Sequence, residues 1–306
     1  MKNYKGLLIA LLLSFCCYGC GPAQMNGQEN TAIEDGKDIN EVDTENAVTT
    51  EMELPEEMPV MEPAYRVYEK TYEKDALAYY WIRTYDEKDN LIKEEKMDVF
   101  TDECTEVVTY AYCYNEAGFI VLKFEQDLEN YWRYRYDEEG KLNKILTFEN
   151  GEYIKSDCCL YDDNGELLYN YTVYDFSSEE DIEKGRMERD AYEYNADGEV
   201  TVTHSYNEEG ELSYDTKYEY DKLNRVVRID NIYYFADEAH EYQTITYEGN
   251  REIRNYYLVK EDESEKLYGA EIKEFDEEGR CIRQSAWEND IQTGYTTYEY
   301  ENIKVN

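Results

Sequence analysis

From Leu212 to Tyr220 the chain alternates strictly, with Leu212, Tyr214, Thr216, Tyr218 and Tyr220 interleaved by Ser213, Asp215, Lys217 and Glu219. Trp132, Tyr134 and Tyr136 alternate in the same way with Arg133 and Arg135. A period of two places successive side chains on opposite faces of a strand, so the pattern predicts strands with a ring-rich face and a charged face. The alternating runs are separated by a recurring turn signature, aromatic-x-Tyr-Asp/Asn-x-x-Gly-x-aliphatic. It reads Tyr134-Arg135-Tyr136-Asp137-Glu138-Glu139-Gly140-Lys141-Leu142 in one copy and Tyr192-Glu193-Tyr194-Asn195 to Val200 in another. Asp89 and Asn224 stand at the glycine position of their copies. Asp and Asn are the residues that best tolerate a left-handed backbone after Gly. The Asp or Asn ahead of it can cap the turn with its own side chain. Shorter turns such as Glu149-Asn150-Gly151-Glu152 join the units.

The fold class predicted is therefore all-β: an antiparallel β-hairpin repeat meander forming one large twisted or coiled sheet. It spans residues 65–306, where no proline occurs, as continuously paired strands require. Two interruptions are expected, a short helix over Ser177–Gly185 with a Ser start and terminal Gly, and a loop or helical turn over Phe235–Glu241.

Ahead of this domain the pattern changes. Residues 20–64 hold all four prolines and no aromatic residue, a composition that cannot bury a core and reads as an acidic, disordered stalk reaching roughly 35–40 Å. Residues 1–19 read as an export signal: Lys2 and Lys5 precede the apolar run Leu7–Phe15, which is shorter than the ~20 residues a spanning helix needs. Gly19-Cys20 resembles the lipobox of bacterial lipoproteins, with Cys17 where that family usually has Leu. The resemblance implies lipidation of Cys20 and an extracytoplasmic protein held at the bacterial cell membrane by its acyl chains. A cut after Ala23 would instead give a secreted protein.

Charge narrows the partners. The formal net charge is −41, which argues against nucleic acid, whose phosphates need a basic surface. The five cysteines after Cys20 match no zinc spacing, and no disulfide connectivity is assigned; adjacent Cys158 and Cys159 would face opposite sides of a strand. His204 and His240 are the only histidines, and His204 on an alternating strand reads as a packed or surface imidazole. No nucleophile, phosphate-loop or zinc-protease motif is present, so no catalytic residue, metal ligand or cofactor is expected. The acidic turns, such as Asp162 to Glu166, could offer clustered oxygens to calcium, but turn chemistry already accounts for each residue.

The Tyr-Asp-x-x-Gly core with its following basic and aliphatic residues, as in Gly140-Lys141-Leu142 and Asn224-Arg225-Val226, resembles the YD repeats of the RHS family, seen in teneurins, wall-associated proteins and insecticidal toxin complexes. The Tyr-x-x-Gly turn is more weakly similar to MORN-variant repeats. The RHS resemblance implies a spiralling β-shell over roughly residues 79–303. The chain departs from it by its few copies and by lacking the proline-containing autoproteolytic core and any payload domain. The function expected is a cell-surface, non-enzymatic binding or scaffold module for proteins. The alternative is a cell-wall glycan or choline-type ligand binder using exposed tyrosines through stacking or cation–π contact.

Overall fold

The computed structural model describes residues 52–162, 164–174, 187–234, 240–260 and 264–303. It is built of antiparallel strands: β1 Tyr65–Glu73, β2 Ala76–Tyr85, β3 Leu91–Met97, β4 Cys104–Tyr114, β5 Ile120–Glu125 and β6 Asp127–Tyr136. Next come β7 Leu142–Glu149, β8 Glu152–Tyr161, β9 Leu167–Tyr174, β10 Arg189–Tyr194, β11 Val200–Tyr206 and β12 Leu212–Tyr220. The last are β13 Val226–Tyr233, β14 His240–Glu248, β15 Arg251–Val259, β16 Glu265–Phe275, β17 Cys281–Glu288 and β18 Ile291–Asn302.

Each strand pairs with its neighbours in sequence, and β18 pairs with β1 from Tyr65↔Asn302 to Glu73↔Gly294. The 18-stranded sheet is therefore a closed barrel with no edge. This corrects the expectation of a repeat meander forming one large twisted or coiled sheet. The reason is physical: an open sheet this wide would leave two rows of unpaired N–H and C=O groups, and joining first strand to last satisfies both.

The seam is built like the rest of the wall. Ile303 N–H donates to the Ala64 carbonyl at 2.7 Å, and Ala64 N–H donates to Tyr85 O at 2.8 Å. Tyr72 and Tyr295 stack at 4.7 Å, and the hydroxyls of Thr71 and Thr296 meet at 2.9 Å. Backbones approach so closely here that a Cβ on Gly294 would lie 2.8 Å from Tyr72 O.

The expected turn chemistry is present mostly at the end of the wall that follows the even-numbered strands, with a further copy from Asn207 to Glu211 after β11 at the other end. Asp137 Oδ1 accepts from Lys141 N–H at 2.8 Å, and Asn195 Oδ1 accepts from Asp197 and Glu199 N–H at 2.9 Å. Gly140 takes φ 83°, while Asp89 (φ 63°) and Asn224 (φ 56°) adopt the same left-handed backbone. Near the ends of several even-numbered strands a tyrosine donates its hydroxyl to the first carbonyl of the preceding strand, whereas Tyr114, ahead of the Asn115 turn, donates to Asp86 instead. Tyr136 reaches Ile120 O at 2.8 Å, Tyr161 Leu142 O at 2.9 Å, and Tyr220 Val200 O at 2.7 Å. Tyr194, Tyr247 and Tyr300 repeat the contact with Leu167, Val226 and Cys281. Each rung contributes about 0.5–1.5 kcal/mol and ties successive turns into a rim.

Residues 52–64, expected as the end of a disordered stalk, lie on the wall instead. Met58 and Met61 pack on a cluster of Ala111, Leu122, Phe124 and Tyr131. Leu122 and Phe124 are fully buried, each worth ~1.5–3 kcal/mol. Arg133 Nη1 donates to Met52 O at 3.1 Å. The helix expected over Ser177–Gly185 lies outside the described residues, as do residues 235–239 of the second interruption; His240 already belongs to β14.

Replacing Gly294 by Ala should force the seam strands apart and destabilise the barrel by about 1–3 kcal/mol, whereas Gly118→Ala, with nothing within 4 Å of its added Cβ, should cost only its backbone strain. Denaturant unfolding of the two variants against the wild type measures the difference.

Candidate functional site

Three features could carry function: the rim of turns, the tyrosine array and the barrel wall. At the rim the carboxylates are committed to their own turns. Asp162 Oδ1 accepts from the N–H groups of Asn164 and Glu166 at 2.8 Å. Asp221 and Asp276 also hold Arg225 and Arg280, at 2.6 and 2.7 Å. Both carboxyls titrate below the ordinary value; for Asp221 the largest cause is the hydrogen bond from Arg225. Among the described residues no group of three or more His, Cys, Asp or Glu side chains is placed to hold a metal ion.

The rings are engaged as well. Tyr65–Tyr85, Tyr131–Phe148 and Tyr242–Tyr257 stack at 4.4 to 5.0 Å. Basic side chains of the chain itself lie over others: Arg228 over Tyr242 at 3.9 Å, Arg189 over Tyr206 at 4.2 Å, Arg225 over Tyr247 at 4.2 Å and Lys123 over Trp132 at 4.7 Å. At these rings the cation–π positions that an outside ammonium would use, worth ~0.5–2 kcal/mol, are taken by Arg and Lys. Desolvation raises the phenol of Tyr220, which forms a rung, to about 12.

His204 joins three strands. Its Nδ1 is 2.7 Å from Asp215 Oδ1 on β12 and its Nε2 is 3.1 Å from Glu193 Oε1 on β10. Asp215 also accepts the Tyr234 hydroxyl at 2.8 Å. Only the doubly protonated ring donates to both carboxylates. Burial opposes its charge, but the hydrogen bonds to Glu193 and Asp215 outweigh burial and leave the pKa above 6.5. The imidazole is thus a structural bridge. The second histidine, His240, contacts Asp230 at 3.1 Å, and Arg228 grips the same carboxylate. The described cysteines, Cys104, Cys113, Cys158, Cys159 and Cys281, form no disulfide among themselves; Cys158 pairs with Lys144 and Tyr171, and Cys159 with Asn170, on the opposite face. Cys20 lies outside the described residues.

The register fixes which side chains share a face of the wall. Followed from strand to strand, Arg66 shares its face with Lys93, Arg133, Lys217, Asp230 and Arg283. Glu69 shares the other with Trp81, Lys96, Lys123, Arg254 and Glu271. Rings too occur on both, with Tyr131 and Tyr242 on the Arg66 face and Tyr134 and Tyr256 on the other. The expected segregation into ring-rich and charged faces holds within single strands and is lost around the barrel.

No family model matches the chain and no curated protein matches it. Solved structures do. A porin-like protein from Bacteroides uniformis is similar over 79% of this chain and 99% of its own, with 14% identity and a TM-score of 0.35. A mutant Rh. blastica porin is similar over 79% and 99%, with 10% identity and a TM-score of 0.26. A protein of unknown function from Bacteroides fragilis covers 49% of this chain and 91% of its own, at 13% identity and a TM-score of 0.26. The likenesses are loose, and it is the closure of this chain's own wall that corrects the earlier expectations. A wall joined strand to strand and closed at β1–β18 is a closed antiparallel barrel and not a spiralling YD or RHS shell, nor a MORN-type meander. The protein-scaffold function implied by that resemblance falls with it. The glycan or choline-type alternative falls with the same correction, and many of the rings it would use are stacked or covered by the chain's own cations.

The His204 bridge has a pH signature. A pKa raised on folding stabilises fully below the unfolded value near 6.5 and is lost as pH rises through the folded value. His204→Gln should therefore cost about 1 kcal/mol at pH 5.5, after allowance for solvent screening, and close to nothing at pH 9. Urea midpoints at the two pH values decide it.

Proposed function

We propose that the chain is an extracytoplasmic, membrane-associated porin-like barrel whose closed polar wall surrounds a water-filled lumen, without catalysis of its own. The observation that carries this reading is the pairing of β18 with β1. Antiparallel barrels of 16–18 strands are wide enough to leave an aqueous lumen. The even strand number, the sequential pairing, and the start of β1 and end of β18 at the rim of short turns all fit the porin plan.

How the barrel meets the membrane follows from its faces. A strand wall in contact with lipid needs an apolar band ~25 Å tall, and each Lys or Arg at mid-depth costs ~2–4 kcal/mol. Lys217 and Asp230 on one face and Lys123 and Glu271 on the other favour a wall with water on both sides. Membrane association is then assigned to acyl chains on Cys20, which supply stable anchoring without lipid contact by the strands.

Cell fractionation of the wild type and Cys20→Ala, followed by planar-bilayer recording of the variant, tests this. The expected result is membrane-bound wild type, a variant released into the soluble extracytoplasmic fraction, and silent bilayers. A variant that stays with membranes and gives stepwise conductance would overturn the tether and make the wall itself the spanning element.

A further inference from the structure

One lateral row of side chains on the Arg66 face stands out against the acidity of the chain. Arg66 pairs with Thr84, Thr84 with Lys93, and Lys93 with Thr109, on strands β1 to β4. Gln126 N–H donates to Thr109 O at 2.8 Å and extends the row by one strand. Partners in register share a face, so the four side chains from Arg66 to Thr109 form a continuous polar floor, and Gln126 lines the same space. At ~4.8 Å per strand, Arg66 and Lys93 emerge about 10 Å apart with Thr84 between them.

The strap of residues 52–64 roofs this floor. Met58, Pro59, Met61 and Pro63 line the space above it, with Ile92 and Ala111 at its side. The groove holds about 370 Å³, within the ~300–1,000 Å³ of small-molecule sites. No acidic residue lines it, although the chain has 72 acidic residues against 31 basic ones. Its charged side chains are Arg66, which is exposed and whose guanidinium meets the Tyr68 hydroxyl, and Lys93, held 2.8 Å from Glu95 Oε1.

Thr84 points to an occupant. Its side chain is 4% exposed, and its Oγ1 has no hydrogen-bond partner. A buried hydroxyl left unpaired costs ~1–3 kcal/mol, and such groups call for an explanation. Rotation of the Thr84 side chain would present its hydroxyl to an acceptor placed between Arg66 and Lys93, which would also take both charge-assisted contacts, while the methionine and proline roof would cover an apolar tail.

We propose that the groove between the strap and strands β1–β4 is a binding site for a small amphipathic anion, a carboxylate on an unbranched aliphatic chain. The headgroup sits over Thr84 between Arg66 and Lys93, and the tail runs beneath Met58 and Met61. This goes beyond the tethered-barrel reading and does not depend on it, since the floor and roof lie on one face of the wall.

Isothermal titration of the full folded chain with decanoate below its micelle concentration tests the site, with decylammonium as the control of opposite charge. Saturable decanoate binding is expected, with decylammonium at least tenfold weaker. Combined Arg66→Met and Lys93→Met should weaken decanoate at least tenfold, and Thr84→Val, which is isosteric, several-fold. Should the double variant fail to fold, Thr84→Val alone decides. Absence of saturable binding, equal affinity for the two headgroups, or binding unmoved by Thr84→Val would overturn the proposal. A positive result leaves the barrel's conductance and fractionation to be judged separately.

Discussion

A β-strand at the margin of a sheet exposes a row of backbone donors and acceptors that must find partners. In this protein that requirement shapes everything else. Closing β18 onto β1 removes both margins at once. The wall then has no structural need for a helical cover, and its side chains can remain half-buried and mixed in character on both faces. The tyrosine rungs at the rim do the same work locally by occupying the first carbonyl of a strand where the ladder ends.

Stability is correspondingly distributed. Buried apolar clusters are small: Ala111, Leu122, Phe124 and Tyr131 beneath the strap, and Cys158, Tyr171 and Met187 on β8, β9 and the segment after it. Elsewhere the wall depends on cross-strand stacking, Arg and Lys lying over rings, and bridges such as Glu193–His204–Asp215. Each is worth a fraction of a kcal/mol to about 1 kcal/mol, and repetition around the barrel gives them weight. The strap adds the one place where an apolar roof, two cations and an unpaired buried hydroxyl converge.

Strand and turn chemistry were legible in the sequence because both are local. The alternation at Leu212–Tyr220 coincides with β12, and Asp89 and Asn224 take the left-handed conformation that their place in the repeat requires. Closure was not legible, because β1 and β18 lie at opposite ends of the domain and no short-range pattern encodes their register. The repeat itself misled: turns of YD type are compatible with an open, a spiralling or a closed sheet, and resemblance favoured the wrong one. The strap was hidden because Met58 and Met61 sit among prolines and acids. Arg66, Thr84 and Lys93 become a set only once the register is known, and the tyrosines suggested open rings because their covering cations come from neighbouring strands.

Closure can be measured directly by placing cysteines at Thr71 and Thr296, whose hydroxyls are 2.9 Å apart across the seam, with a Thr216 and Asn231 pair inside the wall, 3.0 Å apart, as reference. Mild oxidation followed by peptide mapping should give the 71–296 disulfide as readily as the 216–231 disulfide, with the fold retained. Formation of the reference disulfide without the seam disulfide would mean that the sheet is open between β1 and β18, and would contradict the barrel.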